Sequence, residues 1–140
     1  MKRIALISTG GTIEKTYDDL SGVLANKVSV LDVMLASLEL RGVAIHRVAL
    51  MNKDSLEMSA EDHTLIAEQA VRLAREWDGV VVVHGTDRLA LSGERIVEVA
   101  GVPASSTIRS PVNCRRSVPW TTITPSNSFA ARIALSAISV

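Results

Sequence analysis

At 140 residues, 47% of them apolar and 21% charged, the chain has the length of one domain and enough material for a core. Fifteen basic and fifteen acidic residues cancel, no Lys/Arg run exists and only four residues are aromatic, which excludes the charge footprint and stacking platforms of nucleic-acid binders. A single cysteine, Cys114, rules out an internal disulfide and supplies no metal-ligand spacing.

Residues 3–8 (RIALIS) form a short apolar run entering a Gly-Gly turn, which suits a buried strand. With only Ile4-Ala5-Leu6-Ile7 behind Lys2 and Arg3, this run is too short for a signal-peptide core, and no later stretch approaches a membrane span. The cytoplasm is therefore the default compartment. Glu14 to Asn26 is polar and reads as a long loop. Ser29 can cap a helix over Val30 to Arg41, where Leu31, Met34, Leu35 and Leu38 recur at helical spacing, with Gly42 as a left-handed stop. Residues 43–50 are a second strand and Met51 to Met58 a loop. Ser59-Ala60-Glu61-Asp62 resembles a capping box with Asp in place of Glu, opening a helix whose Leu65, Ile66, Gln69, Ala70 and Leu73 share a face. Gly79 precedes Val80-Val81-Val82-Val83, apolar on both faces as a central parallel strand requires. A further helix covers Ser92 to Val99. This alternation predicts an α/β fold, a doubly wound and mainly parallel sheet whose ligands bind beyond the carboxyl ends of the strands.

Composition breaks near the end of this pattern. All fifteen carboxylates lie at or before Glu98; from Val99 onward there are four arginines and no carboxylate. All four prolines and Cys114 fall between Pro103 and Pro125. Residues 104–128 show neither helical nor strand periodicity, so the chain divides into a domain of residues 1–103 and an atypical tail of residues 104–140. A reading-frame change or truncation would produce such a tail; otherwise residues 129–140 form a terminal helix or strand.

Two polar loops follow predicted strands. In Thr9-Gly10-Gly11-Thr12 the glycines permit positive φ and leave room for a ligand beside the main chain, while Thr12 offers a hydroxyl. An ordinary tight turn with Thr12 capping a helix accounts for the same residues. His84-Gly85-Thr86-Asp87 repeats the idea: a carboxylate beside a hydroxyl can hold an ammonium while the hydroxyl faces a reacting carbon. Thr86 or Asp87 can equally cap a helix, and His84 reads as a satisfied core histidine. The third loop carries Asn52-Lys53-Asp54-Ser55, in which Ser55 can donate to a carboxylate.

Leu6 to Ile13 (LxxTGGTI), Asp54 to Met58 (DSxxM) and Gly79 to Asp87 (GVVVVHGTD) together resemble the bacterial-type L-asparaginase family, in order and spacing along its N-terminal domain. The resemblance implies an amidohydrolase that converts L-asparagine into L-aspartate and ammonia, with no metal or cofactor. It assigns Thr12 as nucleophile, Thr86 as second catalytic hydroxyl and Tyr17, from the loop after the first motif, as the activating phenol. Asp87 would bind the substrate's α-ammonium and Ser55 its α-carboxylate, with main-chain N–H groups around Gly11 and Gly85 as the oxyanion hole. Members of that family work as dimers of dimers, which leaves a homo-oligomer open for this chain.

The match has departures. Glu14 stands where a small residue is usual, Leu56 where a polar one touches substrate, and Arg88 and Ala90 where Thr and Glu follow the second motif. No Lys lies beyond Lys53, and the family's smaller C-terminal domain is missing. A catalytically inactive remnant that binds a small amino acid or nothing is the runner-up. A nucleotide-binding protein comes third, because neither a Lys-Ser/Thr phosphate loop nor spaced glycines are present.

Overall fold

The structure, a computed structural model, describes residues 1–25, 30–101, 120–122 and 133–137; Thr12, Ala25 and the last two segments are described by their backbone. The strands and helices are β1 (Lys2–Gly10), β2 (Thr16–Asp18), β3 (Val23–Ala25), α1 (Leu31–Ala36), β4 (Val43–Lys53), α2 (Ala60–Glu76), β5 (Gly79–His84), α3 (Leu89–Ala100), β6 (Trp120–Thr122) and β7 (Ile133–Ala137). Five strands form one sheet in the order β4-β1-β5-β7-β6. β1 pairs in parallel with both β4 and β5, β7 pairs in parallel with β5, and only the β6–β7 pair is antiparallel. The fold is the expected α/β sheet, mainly parallel and flanked by helices.

The chain leaves β1 toward β4 on one side and returns from β4 to β5 on the other. The order therefore reverses at the β1/β5 boundary, and the crevice beyond the carboxyl ends of these two strands is where such sheets bind ligands.

Strand parity distributes the core. Ala5, Ile7, Val80 and Val82 turn toward α2 and α3 and pack with Met58, Ile66, Ala67, Ala70, Val71, Leu73, Ala74 and Ile96. Leu6 and Val83 turn to the other face, where Leu31 of α1 joins them. The four valines are central, as their both-faces-apolar pattern requires. The capping box of α2 is complete: Asp62 N–H donates to Ser59 Oγ at 3.3 Å, and Ser59 N–H donates to Asp62 Oδ2 at 2.9 Å. The buried face of α2 is rotated from the expected one, since His63, Ala67, Val71 and Ala74 are buried while Leu65 is exposed. Small residues at Ala67, Ala70 and Ala74 let the helix approach the sheet closely, a cue that counting large side chains misses.

Three local expectations change. Residues 14–26 are not a plain loop, because Thr16–Asp18 and Val23–Ala25 pair as a hairpin. Asp18 closes its turn: the carbonyl accepts from Gly22 N–H at 2.8 Å, the carboxylate accepts from Leu20 N–H at 3.3 Å, and Gly22 takes φ +68°. Helix α1 is six residues long and does not reach Arg41. Val30, which precedes it, gives no side-chain cap, and the expected cap Ser29 lies outside the described residues. Ser37 Oγ donates back to Met34 O at 2.7 Å where the helix ends. Gly42 is left-handed (φ +72°), but it turns the chain into β4, its carbonyl accepting from Lys2 N–H at 2.9 Å. Finally, β4 extends to Lys53, and Ser55–Glu57 form one 3-10 turn behind it.

Candidate functional site

The three loops that the sequence singles out meet at the β1/β5 crevice. Gly10 and Gly11 hold φ +107° and +87°, values open to glycine, and swing the chain over the end of β1. A Cβ on Gly11 would lie 2.9 Å from Gly85 N and 3.1 Å from Gly85 Cα, so the two glycine loops touch main chain to main chain. A Cβ on Gly85 would lie 2.6 Å from Ser55 Oγ, which puts the third loop against the second. Gly85 is thus held between Gly11 and Ser55, and any side chain at either glycine would push the loops apart. Thr12 and Thr86 each follow directly on one of the two touching glycines.

The polar groups around the contact are positioned by their neighbours. Ser55 is buried and its hydroxyl donates to Asp87 Oδ2 at 3.2 Å, which brings the two expected substrate-binding residues together. Thr86 and Asp87 are exposed, open to the crevice. Thr9 Oγ1 donates to Val83 O at 2.7 Å and clamps β1 to β5 just below the loops. Asp54 accepts from Leu56 N–H at 3.1 Å and from Lys15 Nζ at 2.6 Å, which ties the third loop to the first. The hydrogen bond from Lys15, followed by that from Leu56, lowers the Asp54 pKa below its ordinary value.

Gly11 N–H donates to Lys53 O at 3.2 Å and so closes the turn. Tyr17 is on β2, largely exposed, with its hydroxyl 3.9 Å from where a Gly22 Cβ would sit. The ring therefore lies beside its own hairpin turn, and its described contacts are not with the glycine loops.

His84 fulfils its reading as a core histidine. It is buried, with Nδ1 2.6 Å from Gly85 O and Nε2 2.8 Å from Ser92 Oγ. Burial is the main reason its pKa falls below 6.5. Ser92 also contacts His63 Nδ1 at 2.7 Å, a link that left no local signal because Ser92 is eight residues from His84 and twenty-nine from His63.

Glu14, noted for its unusual size, is almost fully buried and bonded to Arg47 of β4 at 2.8 Å. Arg47 also donates to Ser8 Oγ (3.2 Å from Nε, 3.1 Å from Nη2) and to Asp32 of α1. The first loop is thereby anchored from beneath by a charge pair. Arg88, another departure, donates from Nη1 to Met58 O at 2.6 Å and ties the start of α3 to the end of the third loop. Leu56 is exposed. Among the described residues no group of three or more His, Cys, Asp or Glu side chains is placed to hold a metal ion, and no helix is long and apolar enough to cross a membrane.

Comparison with known proteins agrees with this geometry. A glutamyl-tRNA(Gln) amidotransferase subunit from Halobacterium salinarum is 36% identical over 97 residues, covering 66% of this chain and 22% of that protein. Among solved structures, the thermostable L-asparaginase from Thermococcus kodakarensis superposes with a TM-score of 0.59 at 28% identity, over 69% of this chain and 29% of that one. The probable cytoplasmic L-asparaginase from Campylobacter jejuni gives a TM-score of 0.56 at 30% identity, over 66% of this chain and 30% of that one. The chain thus spans less than a third of the length of these relatives. Residues 3–96 match the family Asparaginase, N-terminal, and the chain belongs to the asparaginase family.

Proposed function

We propose that the chain is an amidohydrolase that converts L-asparagine into L-aspartate and ammonia. The observation that supports this reading is the seating of Gly11 on Gly85, beside the Ser55–Asp87 pair. Asp87 takes the substrate's α-ammonium and Ser55 its α-carboxylate; their mutual hydrogen bond keeps the two groups side by side. Thr12 Oγ attacks the side-chain amide carbon, its proton passing to the departing nitrogen. Ammonia leaves, an ester to Thr12 remains, and water cleaves that ester to L-aspartate. Tyr17 is the activating phenol and Thr86 the second hydroxyl. A threonine hydroxyl is a weak nucleophile, so these partners govern the rate; general-base help contributes about 10²–10⁴-fold. Main-chain N–H groups of the two glycine loops, around Gly11 and Gly85, serve as the oxyanion donors.

An ammonia-release assay on L-asparagine tests this. Wild type releases ammonia, Thr12→Ala and Thr86→Ala reduce release to background, and Tyr17→Phe lowers kcat. Equal background from wild type and Thr12→Ala would leave the inactive remnant. The likeness to an amidotransferase component supports a second reading, in which the released ammonia is passed to an acceptor on a partner protein. Asparagine hydrolysis by the isolated chain at full rate argues against it.

We place the reaction in the cytoplasm and expect a homo-oligomer, which light scattering on the purified chain tests. We also propose that the composition break after Pro103 is the boundary of the family domain and that the tail is the product of a reading-frame change or truncation. Coding DNA with no alternative frame for a family-like strand and Lys would refute that.

A further inference from the structure

The apolar core on the α2–α3 face of the sheet is interrupted by three buried polar residues: His84 at the end of β5, Ser92 of α3 and His63 of α2. The two imidazoles lie nearly parallel, with centroids 6.2 Å apart. The directions of the hydrogen bonds follow from donor and acceptor counting. Gly85 O can only accept, so His84 Nδ1, 2.6 Å away, carries the hydrogen. Burial keeps His84 neutral, which leaves Nε2 to accept from the Ser92 hydroxyl at 2.8 Å. Ser92 Oγ has no second hydrogen and accepts from His63 Nδ1–H at 2.7 Å. The chain thus runs from α2 through α3 and ends on the carbonyl of Gly85.

Polar groups are costly in this place. Hydrocarbon would fill the same space with nothing to desolvate, and His63 Nε2 is buried with no hydrogen-bond partner among the described residues. What the chain adds is control of one peptide. Gly11 meets Gly85 at N and Cα, and Ser55 lies where a Gly85 side chain would begin. With no Cβ, Gly85 lets the peptide that follows it turn at little cost unless its carbonyl is held, and His84 holds it. That peptide is planar and trans, so a carbonyl directed at the buried His84 ring sends the Thr86 N–H the opposite way.

We infer that His84, Ser92 and His63 are positioning residues, which together lock the Gly85–Thr86 peptide so that Thr86 N–H is a preorganised oxyanion donor. This rests on the amidohydrolase reading above, in which main-chain N–H groups of the glycine loops meet the oxyanion. Ser92 is the joint of the device, because it alone bonds to both rings. Without its hydroxyl, His84 Nε2 loses the hydrogen bond that fixes the tautomer and the ring, and the Gly85 carbonyl is held less firmly. An oxyanion donor acts in the transition state, so kcat responds and KM does not.

Steady-state ammonia release from L-asparagine tests the proposal. Ser92→Ala lowers kcat about tenfold, the scale of one buried hydrogen bond, with KM unchanged. Ser92→Thr, which keeps the hydroxyl, retains kcat. Ile96→Val, a buried change on the same helix but outside the chain, lowers stability and leaves kcat alone. Imidazole ¹⁵N and carbonyl ¹³C spectra give a readout independent of turnover: His84 carries its hydrogen on Nδ1, and the Gly85 carbonyl resonance moves in Ser92→Ala and returns in Ser92→Thr. A His84 hydrogen on Nε2, an unmoved Gly85 resonance, or equal kcat losses in Ser92→Ala and Ile96→Val overturns the proposal. A wild type that releases no ammonia refutes the amidohydrolase reading and the oxyanion role with it, while the spectra still decide whether the chain holds the peptide.

Discussion

The two faces of the sheet are built differently. On the α2–α3 face a dozen buried apolar residues close over β1 and β5. On the α1 face the described buried cluster is Leu6, Leu31 and Val83, with Ile13, Leu35, Ile45 and Val81 half-buried around it. Charge takes the place of hydrocarbon there: Arg47 gathers Ser8, Glu14 and Asp32. Meanwhile Val33, Met34 and Leu38 on and beside α1 are exposed. One face thus holds the strands in register by burial, and the other holds the first glycine loop in place by a directional ion pair. A hydrophobic cluster tolerates small shifts of its members, whereas a guanidinium bonded to three elements fixes their relative positions. The loop that carries Thr12 lies on the side where position matters most.

This contrast can be broken from either side, and the largest effect is expected on the apolar face. Ile66→Ala, at a fully buried position, lowers stability by about 2–5 kcal/mol in urea denaturation. Leu35→Ala on the opposite face costs only about 1 kcal/mol, since the residue is half-exposed. Comparable losses would erase the distinction. Next comes the ion pair. Arg47→Met removes the ion pair of the buried Glu14 carboxylate and costs about 3 kcal/mol, while the double variant Glu14→Met/Arg47→Met regains most of it. A double variant no more stable than Arg47→Met would mean that the pair acts through something other than charge.

Smaller still is the strain of Gly11→Ala, about 2 kcal/mol from a residue held at φ +87°, but with it kcat/KM on L-asparagine collapses because the methyl group meets the Gly85 main chain. Stability loss with intact kcat/KM would detach the glycine contact from catalysis. The mildest effect is the response to pH. His63 and His84 both have folded-state pKa values below 6.5, mainly through burial, so the unfolded chain binds protons first as pH falls. Their contribution to stability is intact above about pH 6.5 and drains away below it, whereas that of Asp54 and Asp62, whose pKa values are lowered, is lost only below about pH 4. The urea midpoint therefore declines between pH 7 and 5. A flat profile across that range would contradict the neutral, buried state of the histidines.

Along the chain, local signals carried well wherever one physical cause dominates. Four consecutive valines need apolar neighbours on both sides, and β5 lies between β1 and β7. The Ser59–Asp62 cap satisfies its own helix end and is realised as written. Gly10 and Gly11 take the positive φ that their turn demands. The hairpin of residues 16–25 escaped notice because three-residue strands are too short to show alternation; its turn rests on Asp18, a residue whose role depends on Gly22 following four positions later. Residues 104–128 have no readable period, whereas residues 129–140 read as a terminal helix or strand, and the backbone of Ile133–Ala137 pairs in parallel with Val80–His84.

The parallel α/β sheet, the three polar loops at its carboxyl edge and the family to which those loops belong were thus legible along the linear chain, because each is encoded by contiguous residues under a local steric or burial demand. Other features existed only after folding: Gly85 held between Gly11 and Ser55, Arg47 reaching back to Glu14, and His63, Ser92 and His84 joined in one buried chain. Those are contacts between residues distant in sequence, where hydrogen-bond direction and main-chain approach are set once the strands have been laid side by side.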